Sequence, residues 1–149
     1  MKISDCMKRK VISASKDISV RQAVQILVSN HIGTLPIIDE NSTLVGLIRA
    51  RDLLTLAFPD FVTMFENIDF IHDFGIIENE KPEPEILSRS VIEIMGDPFC
   101  VESDSGLVRA ITVLQEHKLN DLPVVDENKN LVGIASAVDI AVAIMANWE

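Results

Sequence analysis

Two stretches of the chain share one pattern of apolar and polar positions. Apolar side chains recur with the spacing i, i+3, i+4 and i+7 at Val20, Ala23, Val24 and Leu27, and again 87 positions later at Leu107, Ala110, Ile111 and Leu114. This spacing predicts one amphipathic helix with a single apolar stripe in each stretch. The pattern is therefore written twice along the chain.

The same offset relates two longer segments that follow these helices. The first is "LPIIDENSTLVGLIRARDL", residues 35–53, and the second is "LPVVDENKNLVGIASAVDI", residues 122–140. Ten of the 19 aligned positions are identical, and four more exchange isoleucine, leucine or valine. In each segment two β-prone runs flank the turn-rich "ENS" or "ENK", a pattern that predicts an antiparallel hairpin.

Each repeat therefore reads as strand, helix, hairpin, helix. Short β-prone runs, "KVISAS" and "PFCVES", precede the first helices, and closing helices are predicted over about 50–58 and 137–148. A unit of roughly 55 to 60 residues is only marginally stable alone, whereas two units packed together bury apolar surface that neither can bury singly. We predict an α+β (mixed α/β) fold with two tandem β-α-β-β-α repeats, residues 1–58 and 91–149.

Residues 59–90 lie outside the repeats. Five of the six phenylalanines fall in or beside this insert, at Phe58, Phe61, Phe65, Phe70 and Phe74. Their spacing predicts a helical continuation, and "ENEKPEPE" predicts an exposed acidic link. The rings could cover the module's own core, form a dimer interface or act as a flap over a ligand.

Composition and charge exclude several classes of protein. The chain has 149 residues, 48% of them hydrophobic, which is enough for a stable core without disulfide bonds or bound metal ions. With 23 acidic and 13 basic side chains, its net charge of −10 would repel nucleic acid. No apolar run is long enough for a membrane span, so we expect a cytoplasmic protein. Cys6 and Cys100 show no paired spacing and are expected to be small buried hydrophobes.

Catalytic and metal-binding groupings are missing from the sequence. "GIASA" is not the Gly-x-Ser-x-Gly motif of hydrolases, and neither a P-loop nor a Gly-x-Gly-x-x-Gly fingerprint occurs. His31, His72 and His117 lack partners at ligand spacing, and His31 and His117 fall at the predicted ends of the first helices, where histidine meets the helix dipole favourably. We predict neither enzymatic activity nor a metal site.

The repeated "LPVVDENKNLVGI", preceded by an amphipathic helix and followed by "SAVDI", resembles a pair of CBS domains, the Bateman module. The resemblance covers about residues 3–58 and 91–147, including the leads "ISDCM" and "VIEIM". It implies repeats stacked about a pseudo-twofold axis, with clefts that bind AMP, ADP, ATP or S-adenosylmethionine as regulatory ligands. It also implies a homodimer in the form of a flat disc and no required cofactor.

The family pattern of Gly, two apolar residues, Ser/Thr and a later Asp falls on Gly133, Ser136 and Asp139. The resemblance implies that Asp139 accepts hydrogen bonds from both ribose hydroxyls and that Ser136 donates to a phosphate or ribose oxygen. Gly133 would permit close approach. The alternative for Ser136 and Asp139 is a capping box at the start of a helix.

Each cleft would combine residues of both repeats. By resemblance, one cleft joins Ser136 and Asp139 to Leu122, Pro123, Val11, Ile12 and Ser13. The other joins Asp52 to Leu35, Pro36, Phe99 and Cys100. For the apolar residues of both sets, the alternative is an ordinary role in core strands.

The chain departs from the family pattern at two places. Arg49 replaces the hydroxyl residue of the first repeat, and it could bind a phosphate, block the cleft or pair with a surface carboxylate. Two positions before the prolines, where many relatives carry a basic residue, stand Thr34 and Asp121. We therefore hypothesise that the Asp139 cleft prefers S-adenosylmethionine or plain adenosine, and that the Arg49 cleft, if open, prefers AMP or ADP.

Two functions follow as expectations. The first is a regulatory ligand sensor that acts on a separate effector protein through a ligand-dependent change in the arrangement of its repeats. The alternative is a ligand-free dimerisation or protein-interaction module.

Overall fold

The structure, a computed structural model, describes residues 1–58 and 81–148. The first repeat contains β1 (Ala14–Ser15), α1 (Val20–Asn30), β2 (Thr34–Ile38), β3 (Leu44–Arg49) and α2 (Ala50–Ala57). After α3 (Pro84–Leu87), the second contains β4 (Val101–Glu102), α4 (Leu107–Glu116), β5 (Asp121–Val125), β6 (Leu131–Ser136) and α5 (Ala137–Met145).

The predicted order of elements is confirmed in both repeats. The first strands are shorter than the β-prone runs, with two residues each, and α5 ends at Met145 rather than near Trp148. The acidic link is interrupted by α3, which begins with a proline at its first position. The predicted helical continuation of the insert, its other four phenylalanines and His72 lie outside the described residues.

The two repeats form separate three-stranded sheets with the same topology, in the orders β1-β2-β3 and β4-β5-β6. In each sheet the first pair of strands is parallel and the second pair is an antiparallel hairpin. Both hairpins shift register at the same place, between Ile37 and Ile38 and between Val124 and Val125. The mixed α/β fold expected from the sequence is thus confirmed.

The repeated "DEN" builds the same hairpin turn twice. The Asp39 carboxylate accepts hydrogen bonds from the backbone N–H groups of Asn41 and Thr43, at 2.9 and 3.0 Å. Asp126 makes the equivalent bonds to Asn128 and Asn130, both at 2.9 Å. Such aspartate-to-backbone bonds stabilise a turn locally.

The two turns also pair with each other. The Leu44 amide donates to the Lys129 carbonyl, and the Leu131 amide donates to the Ser42 carbonyl, both at 3.1 Å. Ser42 and Lys129 have positive φ angles of 63° and 67°, which turn their carbonyls towards the other repeat. The two hairpins are therefore joined at their tips.

Each repeat is completed by the segment that precedes the other one. We call residues 2–8 the first lead and residues 90–96 the second lead; each contains a short 3₁₀ helix, Ile3–Asp5 and Val91–Glu93. Ile3 is fully buried in the core of the second repeat, and Val91 is fully buried in the core of the first. The leads therefore cross between the repeats, and the two cores are interleaved.

A glycine in each hairpin lets a lead approach. A Cβ atom on Gly133 would lie 2.9 Å from Cγ of Met7 and 3.2 Å from the Lys8 carbonyl oxygen, and one on Gly46 would lie 2.8 Å from Cγ of Met95. These separations are shorter than normal carbon contacts. The close approach expected at Gly133 is therefore made by Met7 of the first lead.

The predicted positions of His31 and His117 are confirmed, whereas Cys6 and Cys100 are less buried than predicted. His31 and His117 are the C-terminal cap residues of α1 and α4. Cys6 and Cys100 are half-buried against the core of the second repeat, and burial is the main cause that raises the pKa of both thiols. Both thiols therefore stay protonated and inert at neutral pH.

Within residues 1–58 and 81–148, no helix has the length and apolar character needed to cross a membrane. The same residues contain no group of three or more His, Cys, Asp or Glu side chains arranged to hold a metal ion.

Candidate functional site

The junction of β6 and α5 brings Ser136 and Asp139 together. The Ser136 hydroxyl accepts a hydrogen bond from the Asp139 N–H at 3.0 Å, and the Asp139 Oδ2 atom accepts one from the Ser136 N–H at 2.8 Å. The capping box considered from the sequence is therefore present. These bonds fix the direction of the Asp139 side chain.

Asp139 also contacts the first lead. The Lys8 ammonium lies 3.5 Å from Oδ2 of Asp139, whose side chain is 20% exposed. Partial burial raises the pKa of Asp139, but the hydrogen bonds from Ser136 and the nearby Lys8 outweigh it, so the pKa falls below its ordinary value. Asp139 is therefore ionised at neutral pH.

This lowered pKa predicts a pH-dependent effect of Asp139→Asn. A carboxylate whose pKa is lower in the folded than in the unfolded protein stabilises the fold above its unfolded pKa, and this contribution is lost as pH falls through the folded pKa. We expect the variant to lose about 1 kcal/mol at pH 7 and to match the wild type in strong acid. Urea unfolding at both pH values, with exposed Asp104→Asn as control, measures this. An equal loss at both pH values would contradict the role of the charge.

A cavity of about 350 Å³, which we call the first cleft, lies between the two repeats. Its lining comes from the first lead and the chain just after it, from the segment between α1 and β2, and from β5 and β6: Lys8, Lys10, Ile12, His31, Ile32, Gly33, Thr34, Asp121 and Ile134. Three residues proposed from the sequence, Ile12, Thr34 and Asp121, line it. Asp139 is connected to it through Lys8.

The other residues assigned to this cleft lie elsewhere. Leu122 is fully buried in the core, and Pro123 is buried beside it in β5, as the core-strand alternative predicted. Val11 and Ser13 are half-buried and alternate along the chain with Lys10 and Ile12, which line the cleft.

Among the described residues, the members of the second proposed set lie in different surroundings. Phe99 and Cys100 line a separate cavity of about 560 Å³ against α4. Leu35 is fully buried in the core of the first repeat, and Pro36 is also fully buried. Asp52 is engaged by Arg49 instead. The second cleft implied by the resemblance stays a prediction, with Asp52 bonded to Arg49 and with Phe99 and Cys100 beside α4.

Arg49 joins the two repeats. Its Nε and Nη2 atoms donate to the two carboxylate oxygens of Asp52 at 2.8 and 3.1 Å, and its Nη1 atom donates to the His117 carbonyl at 3.1 Å. Of the three roles considered for Arg49, the structure shows the salt bridge. The His117 ring stacks on Phe99 with 3.7 Å between ring centroids. These contacts tie the start of α2 to the end of α4.

Sequence reasoning missed several residues of the first cleft, above all Lys8 and Lys10. One feature of the sequence could have identified them: Lys8, Lys10 and Ile12 are alternate residues, and alternate residues lie on one side of an extended chain. This feature becomes informative only when the first lead is known to cross to the other repeat.

The fold and the cleft define a module of two tandem β-α-β-β-α repeats with a cavity between them. The sequence profile of the CBS domain matches residues 3–58 and 91–146. The chain belongs to the CBS domain family, as the resemblance implied.

Among curated proteins, the chain is 35% identical over 121 residues to the chloroplastic CBS domain-containing protein CBSX1 of Arabidopsis thaliana. The match spans 78% of this chain and 51% of that protein. The chain is also 26% identical over 139 residues to L-aspartate semialdehyde sulfurtransferase of Methanocaldococcus jannaschii. That match spans 93% of this chain and 22% of the enzyme. The chain thus spans about half of one relative and about a fifth of the other.

Solved structures of CBS pairs have the same fold. The crystal structure of CBSX2 in complex with AMP has a TM-score of 0.71 and 26% identity, and the match covers 99% of this chain and 98% of that one. The CBS domain pair of MJ0100, in complex with 5′-methylthioadenosine and S-adenosyl-L-methionine, has a TM-score of 0.67 and 22% identity, with the same coverages. At that identity, the second likeness concerns the fold alone.

Proposed function

We propose that the chain is a regulatory module that binds an adenosine-containing ligand in the first cleft. The observation that carries this proposal is the composition of that cleft, which combines apolar and charged side chains from both repeats. A cavity of about 350 Å³ lies within the usual range for small-molecule sites. The AMP complex of the related CBSX2 supports the choice of adenosine.

The cleft offers complementary groups for each part of such a ligand. Ile12, Ile32 and Ile134 provide apolar surface for a purine ring. Thr34 and Asp121 provide hydrogen-bonding groups in the same cavity. Asp139 uses Oδ2 for its bonds to Ser136 and Lys8, which leaves Oδ1 for ribose hydroxyls in the proposed complex.

Ligand binding in this position suits a regulatory role. The cleft is lined by both repeats and by the chain that follows the first lead. A bound ligand would therefore contact both repeats at once. A ligand changes such an arrangement when its affinity differs between two states. We propose that a separate effector protein reads this change, and that the chain itself is not an enzyme.

A ligand-free assembly module is the second candidate, favoured by an apolar face on α4 and α5. Several large apolar side chains in or just after α5 are exposed: Val138, Val142, Met145 and Trp148. A groove of about 500 Å³ runs between the same helices. We propose that this face pairs two copies of the chain into a homodimer, with or without a ligand.

Thermal unfolding with added ligands separates the two candidates. An adenosine ligand at about 100 times its Kd is expected to stabilise the protein by roughly 2.7 kcal/mol, which corresponds to about 5 to 10 °C for a chain of this length. We expect adenosine compounds to raise the midpoint and GTP to leave it unchanged. Indifference to all of them, after removal of any co-purified ligand, together with a dimer in analytical ultracentrifugation, would favour the assembly module.

A further inference from the structure

The chain that leads into β1 lines the first cleft at every second position. The Lys8 amide donates to the Ile134 carbonyl in β6, and the Ile134 amide donates to the Lys8 carbonyl, with N to O distances of 2.8 and 2.9 Å. From there Lys8, Lys10 and Ile12 all face the cleft, as alternate residues of an extended chain do. The end of the first lead and the chain just after it therefore place two ammonium groups beside an apolar side chain.

These two lysines differ in how they are already paired. The Lys8 ammonium lies 3.5 Å from the Asp139 carboxylate, but its side chain remains 65% exposed. Among the described residues, no carboxylate lies within 4 Å of the Lys10 ammonium. In a chain with a net charge of −10, the pair brings two positive charges into one cavity, beside the carboxylate of Asp121.

The second repeat does not reproduce this arrangement. At the 87-residue offset, Met95, Asp97 and Phe99 stand in place of Lys8, Lys10 and Ile12. Arg49, which lies near Phe99 through His117, carries a positive charge there, but it already makes three hydrogen bonds to Asp52 and His117. Only one of the two related positions in the described chain therefore offers lysines to an anion.

We propose that Lys8 and Lys10 are specificity-determining residues of the first cleft: their ammonium groups bind phosphate and so select, among adenosine compounds, those that carry one. This inference rests on the proposed function. The purine packs on Ile12, and the phosphates lie next to the ammonium groups that precede it in the chain.

The assignment reverses the one suggested by the sequence. A preference for S-adenosylmethionine followed from Asp121 and Asp139 alone, without the first lead. In the structure, Lys8 and Lys10 line the same cavity as Asp121, and Lys8 also lies 3.5 Å from Oδ2 of Asp139. The sulfonium and ammonium groups of S-adenosylmethionine would be repelled by the Lys8 and Lys10 ammonium groups, and its single carboxylate offsets this repulsion only in part.

Isothermal titration of the full chain with adenosine, AMP, ADP and S-adenosylmethionine tests the proposal. We expect AMP and ADP to bind wild type roughly tenfold more tightly than adenosine, as charge-assisted hydrogen bonds predict. Lys10→Gln should lose this advantage while its adenosine affinity stays unchanged. Arg9→Gln is the matched control, because Arg9 has the same charge, lies between the two lysines and does not line the cleft.

A third variant is expected to change AMP affinity in the opposite direction to Lys10→Gln. Asp121→Asn removes a carboxylate from the cleft and should tighten AMP binding by roughly threefold, as removal of a partly exposed repulsion predicts. Equal affinities of adenosine and AMP, tighter binding of S-adenosylmethionine, or equal losses in Lys10→Gln and Arg9→Gln would overturn the phosphate assignment alone. Failure of every adenosine compound to bind wild type would overturn the proposed function as well.

Discussion

Ile3→Ala is expected to lower the free energy of unfolding by about 2 to 5 kcal/mol, the usual cost of removing a buried isoleucine side chain. Ile3 lies in the first lead, in the short 3₁₀ helix Ile3–Asp5. Here it is fully buried in the core of the second repeat, and its amide donates to the Ser105 carbonyl at 2.8 Å. Truncation should leave a cavity in a core formed by distant residues.

Urea unfolding of Ile3→Ala measures this loss, and Ile92→Ala is its control. Ile92 lies in the second lead and is 49% exposed, so its truncation should change the free energy by less than about 0.5 kcal/mol. Val91→Ala, beside it, removes a fully buried side chain from the core of the first repeat and should be clearly destabilising. If Ile3→Ala were as mild as Ile92→Ala, the crossing of the leads would be wrong.

Gly133→Ala is expected to destabilise the protein by about 1 to 3 kcal/mol through overpacking. The backbone of Gly133 does not require glycine, since its φ angle is not positive, and a compatible Gly→Ala change would stabilise the fold by about 0.4 to 1 kcal/mol. The new Cβ would instead meet Met7 and the Lys8 carbonyl. The methionine can shift in part, but the carbonyl is held by its bond to Ile134.

Gly33→Ala is the matched control, because no heavy atom lies within 4 Å of the position of its Cβ. Its effect should be neutral or slightly stabilising. Combining Gly133→Ala with Met7→Ala in a double-mutant cycle should show a favourable coupling, since the smaller side chain makes room for the added methyl group. Equal unfolding free energies of Gly133→Ala and Gly33→Ala would contradict the steric role of Gly133.

The first lead links stability to the proposed binding. It carries Ile3 into the core, Met7 against Gly133 and Lys8 to the edge of the cleft. A shift of the lead in Gly133→Ala should therefore also weaken nucleotide binding. Variants of this lead need both unfolding and titration data, so that a loss of fold is not read as a loss of specificity.

The sequence alone determined the elements of each repeat and their order. The helical stripes, the "DEN" turns and the Ser136 capping box depend on residues within a few positions of one another. Periodicity, turn chemistry and capping act at that range, so the pattern could be read directly. The repetition at 87 residues then identified two copies of one unit, and several of their recurring residues carried the resemblance to the CBS family.

Only the tertiary structure decided how the two copies share residues. The insertion of Ile3 and Val91 into opposite repeats, and the bond from Arg49 to a carbonyl 68 positions away, join segments that are distant in sequence. Likewise, Lys8 and Lys10 face Asp121 only because the first lead pairs with β6. Such contacts depend on packing between units rather than on local preference, so the spacing of residues along the chain could not reveal them.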